Sequence, residues 1–149
     1  MSRGIQLFEW ANIYFKSWGA MMISRFLIAL FFLIFGVLNL RARKAIIPAM
    51  IEKNIPFAGF VFYLGVLYEV FFGIAMACDF YTSFAALSLI LFVVIAICIF
   101  HPFWTMSGEL RLLNQIIFIT NSTIVIGALL GLIDWTQISE GFVWLKSIR

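Results

Sequence analysis

The sequence predicts an all-α integral membrane protein, a bundle of four transmembrane helices preceded by an amphipathic helix lying in the interface. Three observations carry this. Of the 149 residues, 64% are hydrophobic and 11% charged, with a mean hydropathy of +1.10. A soluble domain is nearer half apolar and one quarter charged, and could not bury the excess. The apolar residues fall into four stretches, each near the roughly 20 residues that hydrocarbon requires. The chain also holds 18 Phe, 5 Trp and 4 Tyr, rings that suit both bundle packing and the headgroup region.

Residues 5–18, IQLFEWANIYFKSW, are too short and too charged to span. Glu9, Asn12 and Lys16 share one helical stripe, and Trp10, Ile13, Tyr14 and Trp18 lie largely away from it. That pattern predicts an interfacial helix. A cleavable leader is not expected, because the next apolar stretch is too long and no small-x-small site follows. The spans are expected at about 21–40, 57–78, 82–100 and 112–133, and the whole of 1–149 reads as one membrane domain.

The first connection carries Arg41, Arg43, Lys44 and Lys53 between two helices, with Pro48 and Pro56 as breakers and a short surface helix expected to start at Pro48. The second connection is a few residues around Asp79 and Tyr81. The third contains His101, Pro102, Phe103, Trp104 and Gly108, and the tail offers Trp135 and Trp144 as interfacial anchors. Four spans put both termini on one face. The cationic cluster at 41–44 favours a cytoplasmic first loop.

Several chemistries are excluded on composition. Net charge is +3, but the cations are scattered between spans, where they set topology and touch lipid headgroups rather than nucleic acid. Cys78 and Cys98 are expected near opposite faces. The 16 residues from Thr82 to Cys98 rise roughly 24 Å, against the roughly 7 Å that a disulfide allows. They read as buried structural thiols. One His without a neighbouring carboxylate or thiol cluster falls short of a metal-ligand set. No nucleophile–base constellation and no glycine-rich phosphate loop is present.

Charges inside spans are costly and are functional candidates. There are two, Arg25 and Glu69. Arg25, Ala29, Phe32, Gly36 and Asn39 share a stripe of the first span, and Gly65, Glu69, Gly73 and Ala77 recur every four in the second. Small residues mark close helix approach, so both charges are expected to face the bundle and to pair. Asn121, in the run Thr120–Asn121–Ser122–Thr123, is expected near the Glu69 level as a third member of a midplane site. Gly127 and Gly131 form a helix-packing G-x-x-x-G. His101, Trp104, Asn39 and Asn114 are expected on one face, either as a helix terminus whose His and Trp anchor at the interface or as a ligand-binding rim, histidine being the side chain that exchanges protons near neutral pH.

These residues, in this order, resemble the DoxX family of bacterial membrane proteins. The resemblance rests on R-F-L-I-A-L-F-F-L-I-F-G from Arg25 to Gly36, Pro56, Glu69 and F-H-P-F-W from Phe100 to Trp104. Asn114 and T-N-S-T-I-V-I-G-A-L-L-G from Thr120 to Gly131 complete it, over roughly residues 20–133. Family members often carry Lys where this chain has Thr120. The resemblance implies a multi-pass protein of the bacterial inner membrane that works beside redox proteins. Relatives include the quinone-linked membrane subunit of a thiosulfate-oxidising enzyme.

The leading expectation is therefore a subunit of a membrane redox assembly, docking a redox partner or binding quinone, with no covalent cofactor. Arg25, Glu69 and Asn121 would line its polar site, with His101 and Trp104 at the rim. The alternatives are a non-enzymatic scaffold or assembly factor, and a transporter-like binder of a small solute, favoured by a homo-oligomer.

Overall fold

A computed structural model describes residues 2–135, with side chains from residue 19 onward. Helix α1 (Ser2–Arg41) is followed by α2 (Arg43–Glu52), α3 (Ala58–Ala77), α4 (Thr82–Phe100), α5 (Gly108–Thr120) and α6 (Ile126–Leu130). A 3₁₀ turn covers Phe103–Thr105, and a π-helical turn, Asn121–Val125, joins α5 to α6. Four stretches are long and apolar enough to cross a membrane: Gly19–Arg41, Ala58–Ala77, Thr82–Thr105 and Gly108–Leu130. They match the four expected spans within a few residues.

Two elements differ from expectation. The separate amphipathic helix over 5–18 is not supported, because α1 runs unbroken from Ser2 and is apolar overall. No Pro interrupts that stretch, so the backbone ladder continues straight into the span. The side chains of the stripe Glu9, Asn12 and Lys16 lie outside the described residues, as does Trp144. The surface helix begins at Arg43 and not at Pro48, which is its sixth residue.

The ends of α2 and α3 close in the same way. After α2, Asn54 takes a left-handed φ of 57°, Asn54 N–H donates to Ile51 O (2.9 Å) and Ile55 N–H to Met50 O (3.1 Å). After α3, Asp79 has φ 56°, Asp79 N–H donates to Met76 O (3.2 Å) and Phe80 N–H to Ala75 O (2.8 Å). Both are Schellman closures, with Asn and Asp standing where glycine is commonest. Gly108 opens α5 at φ +62°, a conformation that costs other L-residues about 1–2 kcal/mol.

Lipid tails are as apolar as leucine, so these helices gain no hydrophobic term by associating. Close packing and hydrogen bonds hold them. The tightest seam is α1 on α3. A Cβ on Gly36 would stand 2.6 Å from Val70 Cγ2, and one on Gly73 would stand 3.3 Å from Leu33 Cδ2. Those two contacts set an antiparallel register in which Gly36 lies opposite Val70 and Leu33 opposite Gly73.

Helices α3 and α4 run in step end to end, tied by Tyr68 Oη donating to Ser88 O at 3.3 Å. The fourth span is tied to α4 at both ends: Asp134 N–H donates to Ser83 Oγ at 2.9 Å, and Asn114 meets His101. The main core contains Ala29, Phe32, Met76, Leu89 and Leu129; a second cluster of Met50, Ala58, Phe62 and Val66 packs α2 on the loop-side end of α3.

Cys78 and Cys98 are unbridged, as expected, but both are exposed on the outer surface of the bundle. Their reading as buried thiols is therefore corrected. Sequence hydropathy does not distinguish a thiol facing core from one facing lipid.

Candidate functional site

Glu69 is 3% exposed on the face of α3 turned to α1. Asn39 Nδ2, two residues from the end of α1, donates to Glu69 Oε2 at 3.1 Å. The stripe argument thus placed Glu69 in the interior correctly but gave it the wrong partner. Arg25 pairs with Asp79, in the turn after α3.

The register explains the exchange. Gly36 opposite Val70 puts Asn39 within reach of Glu69 and leaves Arg25 some 14 residues away on α1, roughly 21 Å. Arg25 is close to the face that bears the termini. There its long side chain reaches a carboxylate that stays 59% exposed, while its own side chain is 16% exposed. Keeping both charges at the interface avoids the desolvation a pair with Glu69 would require.

Asp79 also accepts from Thr82 Oγ1 at 2.6 Å. That hydrogen bond is the main cause holding its carboxyl below the ordinary carboxylate range; burial opposes it, and the hydrogen bond and charge of Arg25 add to the lowering. A depressed folded-state value contributes stability that is present above the ordinary carboxylate value of 3.8. It is lost as pH falls through the lowered one. The carboxylate is largely exposed, so the pair should couple weakly, by about 0.2–1 kcal/mol. A double-mutant cycle of Arg25→Gln and Asp79→Asn in detergent should show that coupling at pH 7. It should shrink in high salt and vanish in strong acid; coupling that persists there would contradict the assignment.

The loop-side face holds the second polar pair. His101 closes α4, and its Nδ1 lies 2.8 Å from Asn114 Oδ1. Asn114 Nδ2 is committed to Leu110 O at 2.8 Å, so the amide oxygen faces the ring. With the amide oxygen as acceptor, Nδ1–H donates, and in the neutral ring this leaves Nε2 as an acceptor. Phe103, Trp104 and Phe118 stack edge to face beside this end, with centroids 5.2–5.8 Å apart. The π-helical turn breaks the fourth span just above.

Asn121 does not join the midplane site. Its Nδ2 donates to Ile117 O at 2.9 Å, and Thr123 Oγ1 bonds Ile119 O at 2.7 Å. Side chains that bond the backbone one turn back compete with the helical ladder, which gives the π-helical turn a local cause. Gly127 meets nothing within 4 Å of a built Cβ, and Gly131 meets only its own helix. Among the described residues the G-x-x-x-G is therefore not a packing face.

The seven candidate residues thus fall into separate stations. Asn39 and Glu69 form one near mid-membrane; His101, Asn114 and Trp104 form another at the loop-side rim; Arg25 and Asn121 stand apart. Glu69 lies 11 residues into α3 from its loop-side end, so the two stations are roughly 16 Å apart along the bundle. What the sequence reading missed was Asp79, whose signal was its place in a two-helix turn at the depth of Arg25.

Among the described residues no three His, Cys, Asp or Glu gather as a metal site. An open apolar groove of about 330 Å³ lies at the other end, between Phe72, Ala75, Tyr81 and Phe84, and none of the candidate polar residues lines it.

The sequence pattern of the DoxX family matches residues 20–102, more than half of the chain, from the first span through α4 and His101. Comparison with curated proteins and with solved structures returns no match. Four apolar spans, a glutamate buried in the second and the histidine that closes the third stand inside or alongside that matched segment, and the chain belongs to the DoxX family.

Proposed function

We propose that this DoxX protein is a membrane subunit of a redox assembly that holds a quinone headgroup at its loop-side rim, beside a redox partner. The observation that carries the reading is the His101–Asn114 bond. It orients an imidazole with a free Nε2 acceptor at the end of α4, next to the aromatic side chains of Phe103, Trp104 and Phe118.

The residues suit the group. A quinone offers carbonyl or hydroxyl oxygens at the headgroup and an apolar ring and tail, and supplies two-electron, two-proton chemistry when bound. Imidazole Nε2 accepts a hydroxyl proton, Asn114 holds the ring in one tautomer, and the aromatic side chains exclude water from the ring plane. Glu69 and Asn39 are too far along the bundle to touch the same headgroup. Their role is to tie α1 to α3. No ligand set for a metal or cluster is present among the described residues, so electrons would come from the partner.

The test uses the full chain in its native membranes. His101→Ala and Asn114→Ala should each lower quinone-linked activity and co-purifying quinone about tenfold, the worth of one good hydrogen bond, at unchanged abundance. Glu69→Gln, which keeps an acceptor for Asn39, should leave both near wild type. A scaffold reading is favoured by one observation: among the described residues no buried side-chain polar atom lacks a partner. If both rim variants alter abundance alone, that scaffold reading replaces the redox one.

A further inference from the structure

The register of α1 against α3 has a consequence at the loop-side end. Gly36 lies opposite Val70, and Asn39 reaches Glu69, so Arg41, where α1 ends, lies opposite residues 65–67 of α3. Helix α3 continues for a further eight residues or so towards the loop face before ending at Ala58, a distance of roughly 12 Å. The chain covers that distance as α2, which runs down the flank of α3 with Ile46, Ile47 and Met50 against Ala58, Phe62 and Val66. The α1–α2 elbow at Ala42 is therefore set below the loop-side end of the bundle.

Three cations occupy this elbow. Arg41, Arg43 and Lys44 are all exposed. Arg43 Nη1 donates back to Leu40 O at 3.1 Å, which holds its guanidinium over the end of α1. Among the described residues none of the three forms an ion pair with a carboxylate. At the same level and beyond it, α3 presents Phe60, Tyr63 and Leu64 outward, so apolar surface continues past the charges towards the loop face. Cations placed beside hydrocarbon require a counter-anion or a route to water. Arginine and lysine stems reach only part of the way to the surface.

We infer that the α1–α2 elbow binds the phosphate of an anionic phospholipid, drawn below the general headgroup plane and held by Arg41, Arg43 and Lys44. Charge complementarity selects an anionic headgroup over a zwitterionic one, because the elbow is triply positive with no acidic side chain paired to it. The surrounding apolar surface of α2 and α3 takes the acyl chains, which a free phosphate ion lacks. The site is separate from the His101 rim, and its fate is independent of the quinone reading.

The full chain, purified in a mild detergent, is titrated with phosphatidylglycerol and with phosphatidylcholine, and bound lipid is counted by native mass spectrometry. Phosphatidylglycerol should bind at least about tenfold tighter, with one molecule held per protomer. Three cations near an anionic headgroup imply that Arg41→Gln/Arg43→Gln/Lys44→Gln weakens it about a hundredfold. Lys53→Gln/Arg111→Gln, which removes loop cations outside the elbow, should bind as wild type.

Equal affinity for the two lipids in the wild-type protein overturns the proposal, whether or not the triple variant folds. So does equal loss in the two variants, which would mean diffuse attraction, and so does displacement of the lipid by millimolar inorganic phosphate, which would mean a free-anion site.

Discussion

Phe32→Ala is expected to lower the stability of the bundle by about 2–3 kcal/mol, in an unfolding titration from a mild detergent into SDS. Phe32 is 1% exposed and stands where α1, α3 and α4 meet, with its Cβ 3.5 Å from the position a Cβ on Gly73 would take. The usual transfer term for a lost phenyl ring is nearly absent, since hydrocarbon is the alternative environment in the unfolded state as well. What remains is the cavity, at about 24 cal/mol per Å³ of unfilled space, which for a phenyl ring gives the quoted range. Phe26→Ala is the control. It is the same truncation six residues earlier, where the ring is 58% exposed to the surroundings, and a change of less than about 0.5 kcal/mol is expected. Equal losses at the two positions would mean that Phe32 does not pack in the core.

Gly36→Leu should be at least as damaging, by about 2–3 kcal/mol or more, through overpacking. The first added carbon would already stand 2.6 Å from Val70 Cγ2, well inside contact distance. Valine is branched at Cβ and has little rotamer freedom in a helix, so the helices must separate. Separation at this point also pulls Asn39 from Glu69, one turn along the same seam. The diagnostic measurement is a double-mutant cycle with the smaller change. Gly36→Ala should destabilise, and Val70→Ala should restore much of the loss, since the two residues are in direct contact. Strict additivity of the two would show that the helices meet elsewhere.

The four spans were legible because hydropathy and length are summed along one helix, and lipid enforces them one segment at a time. Glu69 was legible as an interior residue because Gly65, Gly73 and Ala77 lie on its stripe. Its partner was not. A depth estimate along each helix placed Arg25 within reach of Glu69, but it carried no information on how far α1 slides against α3, and Gly36 against Val70 sets that slide. The same slide moved Arg25 to Asp79 and brought Asn39 to Glu69. Asn121 was placed by depth alone and bonds instead within its own helix, where a side-chain amide finds a backbone carbonyl one turn away whatever the neighbours do. His101 and Asn114 were predicted on one face, and they meet because α4 and the fourth span are consecutive and antiparallel.

The sequence by itself determined that this chain lies in a membrane, where it crosses, and which few polar groups it carries inside. These follow from the free energy of moving each residue from water to hydrocarbon, a local quantity. The tertiary structure alone decided which polar groups meet, that the midplane and rim pairs are distinct, and that a triply charged elbow lies below the loop-side end of the bundle. Those depend on the register between helices, and register is set by steric contact between side chains far apart in the chain.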